Sequence, residues 1–188
     1  MIILGVDPGT LITGYGVIKK NGTTLQVLDV GVIKIPSSDM MPLRLKRIYA
    51  SLCAIIERFH PDEFAIETAF YSKNAQSALK IGQARGVSIL AGVNFEVPVT
   101  EYSPREVKKA VVGNGAASKE QVQYMITKLL KLKTAPAYFD ATDALAVAIC
   151  HSHRITRPRG GFKSWRSYVE ANPERVAKGK LKVKSEKL

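Results

Sequence analysis

Four acidic residues stand where their carboxylates could do chemistry together. Asp7 ends the apolar run 2–6, and Glu67 ends a second strand-like run. Asp140 and Asp143 lie three residues apart at the start of an apolar segment, a spacing that can place them on one face of a helix. Because ligand sites of α/β sheets lie beyond strand ends, a helix packed across that edge would bring all four acids together.

Such a cluster of acids predicts a cation site. Two unit charges 4 Å apart repel by about 4 kcal/mol at an effective dielectric constant near 20, so a fold tolerates the cluster when it binds cations. Oxygen ligands without His or Cys favour Mg²⁺ or Mn²⁺. Two such ions can activate a water molecule and stabilise the leaving oxygen of a phosphodiester. Acids clustered within a basic protein therefore indicate a metal-dependent nuclease.

Each acid also has an ordinary structural interpretation. Asp7 begins an Asp-Pro-Gly stretch, which is a common turn. Glu67 fits a solvated strand end. Asp140 fits a helix N-cap, with Asp143 near the positive end of the helix dipole. Taken singly, each residue favours the structural interpretation, whereas the four together favour a site.

The charge of the chain favours a polyanionic partner. The 188 residues carry a formal net charge of +12, and much of the excess of Lys and Arg lies in 151–188. No secretory signal is apparent, and no apolar run reaches the roughly 18 residues of a membrane span. Cys53 and Cys150 lack CxxC spacing, which is typical of thiols in a reducing compartment. We expect a cytoplasmic protein that contacts no membrane.

The periodicity of apolar residues, which indicates the strands and helices that would position the acids, changes along the chain. Asn21-Gly22 separates two strand-like runs and predicts a hairpin. Helical and strand periodicities then alternate. A leading hairpin followed by this alternation predicts an α/β fold with one five-stranded mixed sheet and helices on both faces. The predicted strands are 2–6, 13–20, 23–35, 62–67 and 97–102, and the predicted helices are 45–59, 74–93, two starting at 103 and 118, and 140–153.

Two capping boxes and a change of composition delimit the domain. Ser103 and Ser118 each precede a Glu or Gln by three residues, which predicts two helix starts. We expect residues 1–154 to form the folded domain. Residues 155–188 are rich in Lys, Gly and Ser and predict a basic, flexible tail. That tail fits either a solubility segment or a non-specific DNA tether.

Four stretches of the sequence resemble the RuvC family of Holliday-junction resolvases. They are "GVDPGT…TGYGVI", "AIETAFYSKNAQSALKIGQARGV", "YSPREVKKAVVGNGAASKEQVQ" and "DATDALAVAICH", and the resemblance covers roughly residues 1–153. It implies an RNase H-like fold and a homodimer that binds a four-way DNA junction and cuts two symmetry-related strands. It further implies Mg²⁺, with Mn²⁺ as a substitute, at one or two ions per subunit, and a branch-migration helicase as a partner.

The resemblance also implies roles for individual residues. The carboxylates that would bind metal and act in catalysis are Asp7, Glu67, Asp140 and Asp143. Phe70 would stack on opened junction bases, within an exposed loop that also carries Tyr71 and Lys73. Lys108 and Lys119 would lie near the cleaved strand, and Gly82 and Gly86 on the helix that pairs the subunits. Without the resemblance, core packing suits Phe70 and solvation suits the lysines.

Three other functions fit part of the sequence. RuvC-like nucleases that process RNA would use the same acidic cluster, so only the substrate distinguishes them. "DPGT" also resembles the phosphate loop of actin-like ATPases, but those proteins need a second lobe and a second phosphate loop, for which 188 residues leave no room. A DNA-binding module without catalysis suits the charge and leaves the four acids unexplained.

Overall fold

The strands are β1 (Ile2–Asp7), β2 (Ile12–Asn21), β3 (Thr24–Lys34), β4 (Glu63–Glu67) and β5 (Val99–Tyr102). They form one five-stranded mixed sheet with the strand order β3-β2-β1-β4-β5. β1 runs antiparallel to β2 and parallel to β4. The β2–β3 pair is antiparallel, and the β4–β5 pair is parallel. Gly22 has a φ of 59°, which suits the predicted Asn-Gly hairpin. The predicted α/β class and five-stranded sheet are confirmed.

The computed structural model describes residues 1–68 and 75–155. Residues 1–155 form one compact unit. The DNA-contact predictions for Phe70, Tyr71 and Lys73 fall on 69–74, outside the described residues. The predicted tail likewise lies outside them from residue 156 onward. Within the described part of the chain, no helix combines the length and the apolar character that crossing a bilayer requires.

Helices cover both faces of the sheet. Successive strand residues point to opposite faces, so Ile3 contributes to one core and Leu4 to the other. The core around Leu4 also contains the buried sides of the first two helices, and the core around Ile3 contains those of the last three. The helices are α1 (Met41–Phe59), α2 (Ala75–Asn94), α3 (Pro104–Val112), α4 (Lys119–Leu129) and α5 (Phe139–Arg154).

Helix α5 is the most buried helix and lies directly on the sheet. From Ala141 to Ser152, every residue except Asp143 is buried. The close approach depends on glycines in the strands below. A Cβ at Gly5 would lie 2.2 Å from the Ala144 carbonyl oxygen, a separation that real structures do not show. The helix backbone therefore occupies space that any other residue at Gly5 would fill.

The helix starts and stops follow the predicted local signals. Ser103 and Ser118 each form a complete capping box, with Glu106 and Gln121 as the reciprocal partners. α1 ends at His60, which adopts the left-handed conformation with φ 44° just before Pro61. The prediction that His60-Pro61 stops this helix is confirmed.

Candidate active site

Asp7 and Glu67 lie side by side at the carboxyl ends of two neighbouring parallel strands. In the register of β1 against β4, Val6 faces Ile66, so the next residue of each strand is an acid at the same edge of the sheet. The residues before the acids are buried and apolar, which is typical of central parallel strands. The prediction that the two strand ends are neighbours is confirmed.

The start of α5 brings Asp140 to this edge through a glycine in β2. Gly14 is the register partner of Asp7, and a Cβ at Gly14 would lie 1.9 Å from the backbone oxygen of Asp140. The helix therefore begins directly above the strand next to Asp7. Its N-cap residue is Tyr138, which makes no side-chain cap bond. The alternative interpretation of Asp140 as the N-cap is therefore wrong.

The carboxyl groups are close enough to change each other's protonation. Burial, followed by the charges of Asp143 and Asp140, raises the pKa of Asp7 to about 7. Burial, followed by the charges of Asp7 and Asp143, raises the pKa of Glu67 to about 8. Burial is also the main cause that raises the pKa of Asp143. The fold thus concentrates negative charge in a place that water solvates poorly.

Two predicted basic residues, Lys108 and Lys119, face the acids. The Lys119 ammonium lies 3.5 Å from Oδ2 of Asp143, and its charge opposes the rise in pKa of the nearby acids. Lys108 donates a 2.7 Å hydrogen bond to the Ala117 carbonyl, and its charge also lowers the pKa of Glu67. Lys119 is the first residue of α4, directly after the Ser118 cap. Both ammonium groups therefore bring positive charge to the acids.

The chemistry of the four acids fits a hard divalent cation. All of them offer oxygen ligands, and their repulsion and burial would be relieved by a positive ion between them. In residues 1–68 and 75–155, no three His, Cys, Asp or Glu side chains converge closely enough to enclose one ion. The acids of β1, β4 and α5 are nevertheless close enough for their charges to shift one another's pKa values. Lys119 forms an ion pair with Asp143.

Two features of the site were not predicted from the sequence. Thr13 Oγ1 donates a 2.7 Å hydrogen bond to the Gly9 carbonyl and accepts one of 3.3 Å from the Gly9 amide, which fixes the turn after Asp7. The second feature is Gly14, which admits the start of α5. The signal for Gly14 was present, because a glycine inside a strand often marks a close backbone approach.

Gly82 and Gly86 lie far from these acids in sequence, on the exposed side of α2. A Cβ at either glycine would meet no atom of the described residues within 4 Å. The buried residues of α2 lie on its other side and are Ala84, Ser88, Ala91 and Gly92. The predicted pairing helix therefore leaves Gly82 and Gly86 exposed in the described part of the chain.

Comparison with known proteins gives consistent matches over the described domain. A family model for crossover junction endodeoxyribonuclease RuvC matches residues 3–151. The RuvC of Histophilus somni is 56% identical over 154 residues, which are 82% of this chain and 80% of that protein. The RuvC of Salinibacter ruber is 44% identical over 178 residues, which are 94% of this chain and 99% of that protein.

A solved structure matches the fold as well. The structure of Thermus thermophilus RuvC in complex with Holliday junction substrate superposes with a TM-score of 0.74 at 33% sequence identity. The match covers 81% of this chain and 93% of that one. Its RNase H-like α/β architecture agrees with the fold predicted from the sequence. With a family match over most of the chain and relatives above 50% identity, the chain belongs to the RuvC family of crossover junction endodeoxyribonucleases.

Proposed function

We propose that this chain resolves four-way DNA junctions by Mg²⁺-dependent hydrolysis of one phosphodiester per subunit, acting as a homodimer in recombination and repair. The observation that carries the proposal is the meeting of four acids and two lysines at one sheet edge in a member of this nuclease family. Family membership implies a divalent metal. The oxygen-only acids favour Mg²⁺, with Mn²⁺ as a substitute, at one or two ions per subunit.

The residues of the site divide between the ion and the DNA. Asp7, Glu67, Asp140 and Asp143 would hold the cation. The bound ion would supply a Lewis acid for the phosphate and for the attacking water. Lys119 would exchange its carboxylate partner for a phosphate oxygen, and Lys108 would add positive charge on the same side. Because burial favours the protonated acids, cation binding would displace protons from Asp7 and Glu67.

The proposed activity predicts selective cutting of junctions. With Mg²⁺, the purified chain should nick a synthetic four-way junction at paired, symmetric positions, and should cut linear duplex and single-stranded RNA at least about 100-fold more slowly. Chelation by EDTA should stop the reaction, because the acids alone would repel the phosphate. Gel analysis of end-labelled strands measures all three substrates. Faster cutting of RNA would favour the RNA-processing alternative, and no junction cutting in Mg²⁺ or Mn²⁺ would contradict the proposal.

An exposed apolar stripe on α2 supports the homodimer. Leu79, Gly82, Gly86, Leu90 and Val93 recur at intervals of three and four residues, so they share one helix face. Leu79 is 67% exposed, and the other apolar members are also exposed. Two copies of this face can pack closely at the glycines about a two-fold axis, matching the symmetry of a junction.

The dimer predicts that charges on this stripe separate the subunits. The double substitution Leu79→Glu and Leu90→Glu should convert the dimer to a monomer at micromolar concentration, because four carboxylates would face each other in an apolar contact. Sedimentation velocity measures the mass. Leu129→Glu is a matched control, since Leu129 is an exposed leucine on α4, which packs on the opposite face of the sheet. A wild-type chain that stays monomeric with and without junction DNA would contradict the proposal.

The remaining parts of the proposal concern partners and location. Phe70, Tyr71 and Lys73 stay predicted DNA contacts on the strength of the resemblance. A branch-migration helicase is the proposed partner that delivers the junction. A cytoplasmic location suits two cysteines, Cys53 and Cys150, that form no disulfide.

A further inference from the structure

Two exposed aromatic side chains directly precede the acids of α5. Tyr138 is 37% exposed and Phe139 is 39% exposed, although each is large enough to contribute to a core. A lysine lies over each ring. The Lys34 ammonium is 4.8 Å from the Tyr138 ring centroid, and the Lys119 ammonium is 5.9 Å from that of Phe139. The result is two neighbouring lysine–aromatic pairs at the surface.

These pairs lie at the rim of the acidic site. Lys119 connects the Phe139 pair to it, because the ammonium that lies over Phe139 also forms the 3.5 Å ion pair with Asp143. Tyr138 and Phe139 are followed at once by Asp140 in the same helical turn. Lys34 reaches Tyr138 from the end of β3. A DNA strand whose phosphate lies at the acids would therefore run beside Phe139 and the neighbouring Tyr138.

The backbone that carries the rings is fixed by side chains of α4 and α5. Gln123 Nε2 donates hydrogen bonds of 3.1 Å to the Pro136 carbonyl and 3.5 Å to Thr142 Oγ1. The Thr142 amide donates to the Tyr138 carbonyl at 3.3 Å. The tyrosine also occupies an N-cap position, where Ser, Thr, Asp or Asn would satisfy helix amides. The fold thus presents two aromatic rings on a held backbone and forgoes a helix cap there.

We propose that Tyr138 and Phe139 stack on nucleotides flanking the phosphate that is cut, while Lys34 and Lys119 pair with adjacent phosphates. The proposal rests on the proposed function. Aromatic rings accept any base face, and lysines supply the positive charge that a nucleic-acid strand requires. The positive charge of the lysines favours a polyanion, rather than an apolar protein surface, as the ligand of this surface. This contact would be additional to the one predicted for Phe70.

The test measures junction binding by the full-length chain in EDTA, so that no cutting occurs. A fluorescent 2-aminopurine replaces single bases on either side of the cut position. Tyr138→Ala/Phe139→Ala should weaken binding by roughly 10-fold or more and abolish the quenching of 2-aminopurine next to the cut. Tyr138→Phe/Phe139→Tyr, which keeps both rings, should bind and quench like the parent chain. Circular dichroism and thermal melts of each variant report the fold.

Tyr124→Ala provides the matched control. Tyr124 is 64% exposed and also has a lysine over its ring, Lys128 at 5.5 Å. It lies five residues after Lys119 on α4, which turns it by roughly 140° to another side of the helix. Its substitution should change neither binding nor quenching.

Three outcomes separate this proposal from the function on which it rests. A parent chain that binds no junction would contradict the proposed function itself. A parent chain that binds, with an alanine pair that binds and quenches equally well, would overturn only the aromatic contact. Loss of dimer mass in the alanine pair, with quenching retained, would mean that the rings contact protein, and it would also overturn the proposal.

Discussion

Asp7→Asn should lower the rate of junction cutting by roughly 10³-fold or more and leave junction binding within about two-fold of the parent chain. The substitution removes one charged oxygen ligand from the acids at the ends of β1 and β4 and keeps the shape of the side chain. Asp7 is partly buried and lies beside other acids, so it offers DNA no favourable contact to lose. The rate is measured in single turnovers at saturating enzyme, and the affinity by fluorescence anisotropy in EDTA.

The same substitution should stabilise the fold without metal. Burial and neighbouring acids raise the pKa of Asp7 to about 7, well above its value in the unfolded chain. The folded state therefore binds more protons than the unfolded state between about pH 4 and pH 7, and the parent chain loses stability as the pH rises through that window. The amide of the Asp7→Asn variant carries no charge to desolvate. We expect a gain of about 2 kcal/mol at pH 8 and little gain at pH 4, measured by urea unfolding.

Asp39→Asn is the control for both parts of this prediction. Asp39 accepts a 2.6 Å hydrogen bond from Arg47 at the surface, so its neutralisation should leave cutting unchanged and should not stabilise the fold. An Asp7→Asn variant that cuts at the parent rate would reduce Asp7 to a turn residue. Equal stability of this variant and the parent chain at pH 8 would contradict the electrostatic account, even if cutting were lost.

The fold and the four acids could be predicted because local patterns determine them. Asp7 and Glu67 are recognisable because each interrupts a buried apolar run, and strand neighbours follow from the hairpin and the alternation that succeeds it. Asp140 and Asp143 are recognisable by their spacing. Roles of individual residues within the family came from the resemblance, and the positions of Phe70, Tyr71 and Lys73 lie outside the described residues.

The remaining features depend on contacts between distant segments. Asp140 is a residue type that is typical of N-caps, yet the N-cap of α5 lies two residues earlier, at Tyr138. An aromatic pair next to an apolar helix is typical of a core, and no local pattern predicts that Tyr138 and Phe139 stay more than one third exposed. Both outcomes follow from how closely α5 approaches the sheet, which sequence periodicity does not encode.

The approach of α5 to the sheet is itself testable through Gly14. Gly14→Ala would place a Cβ 1.9 Å from the Asp140 backbone oxygen, and backbone cannot yield as a flexible side chain would. The start of α5 must move away from β2, carrying Asp140 and Asp143 away from Asp7. A misplacement of about 1 Å can cost roughly 10²-fold in rate, and overpacking typically costs about 1–3 kcal/mol. We expect both effects, measured by single-turnover cutting and urea unfolding.

Gly82→Ala is the matched control. Because Gly82 lies in the proposed dimer contact, both glycine substitutions are compared in the monomeric Leu79→Glu/Leu90→Glu background. In that background, Gly82→Ala places a Cβ in a helix interior where no described atom lies within 4 Å. It should stabilise α2 by about 0.5–1 kcal/mol through the higher helix propensity of alanine. If Gly14→Ala destabilises the fold while Gly82→Ala stabilises it, the effect at Gly14 is due to its contact with α5 and not to the replacement of a glycine in general. If Gly14→Ala folds as stably and cuts as fast as the parent chain, then the position of α5 does not depend on this glycine. The acids would then owe their meeting to the remaining contacts of α5 with β1 and β4.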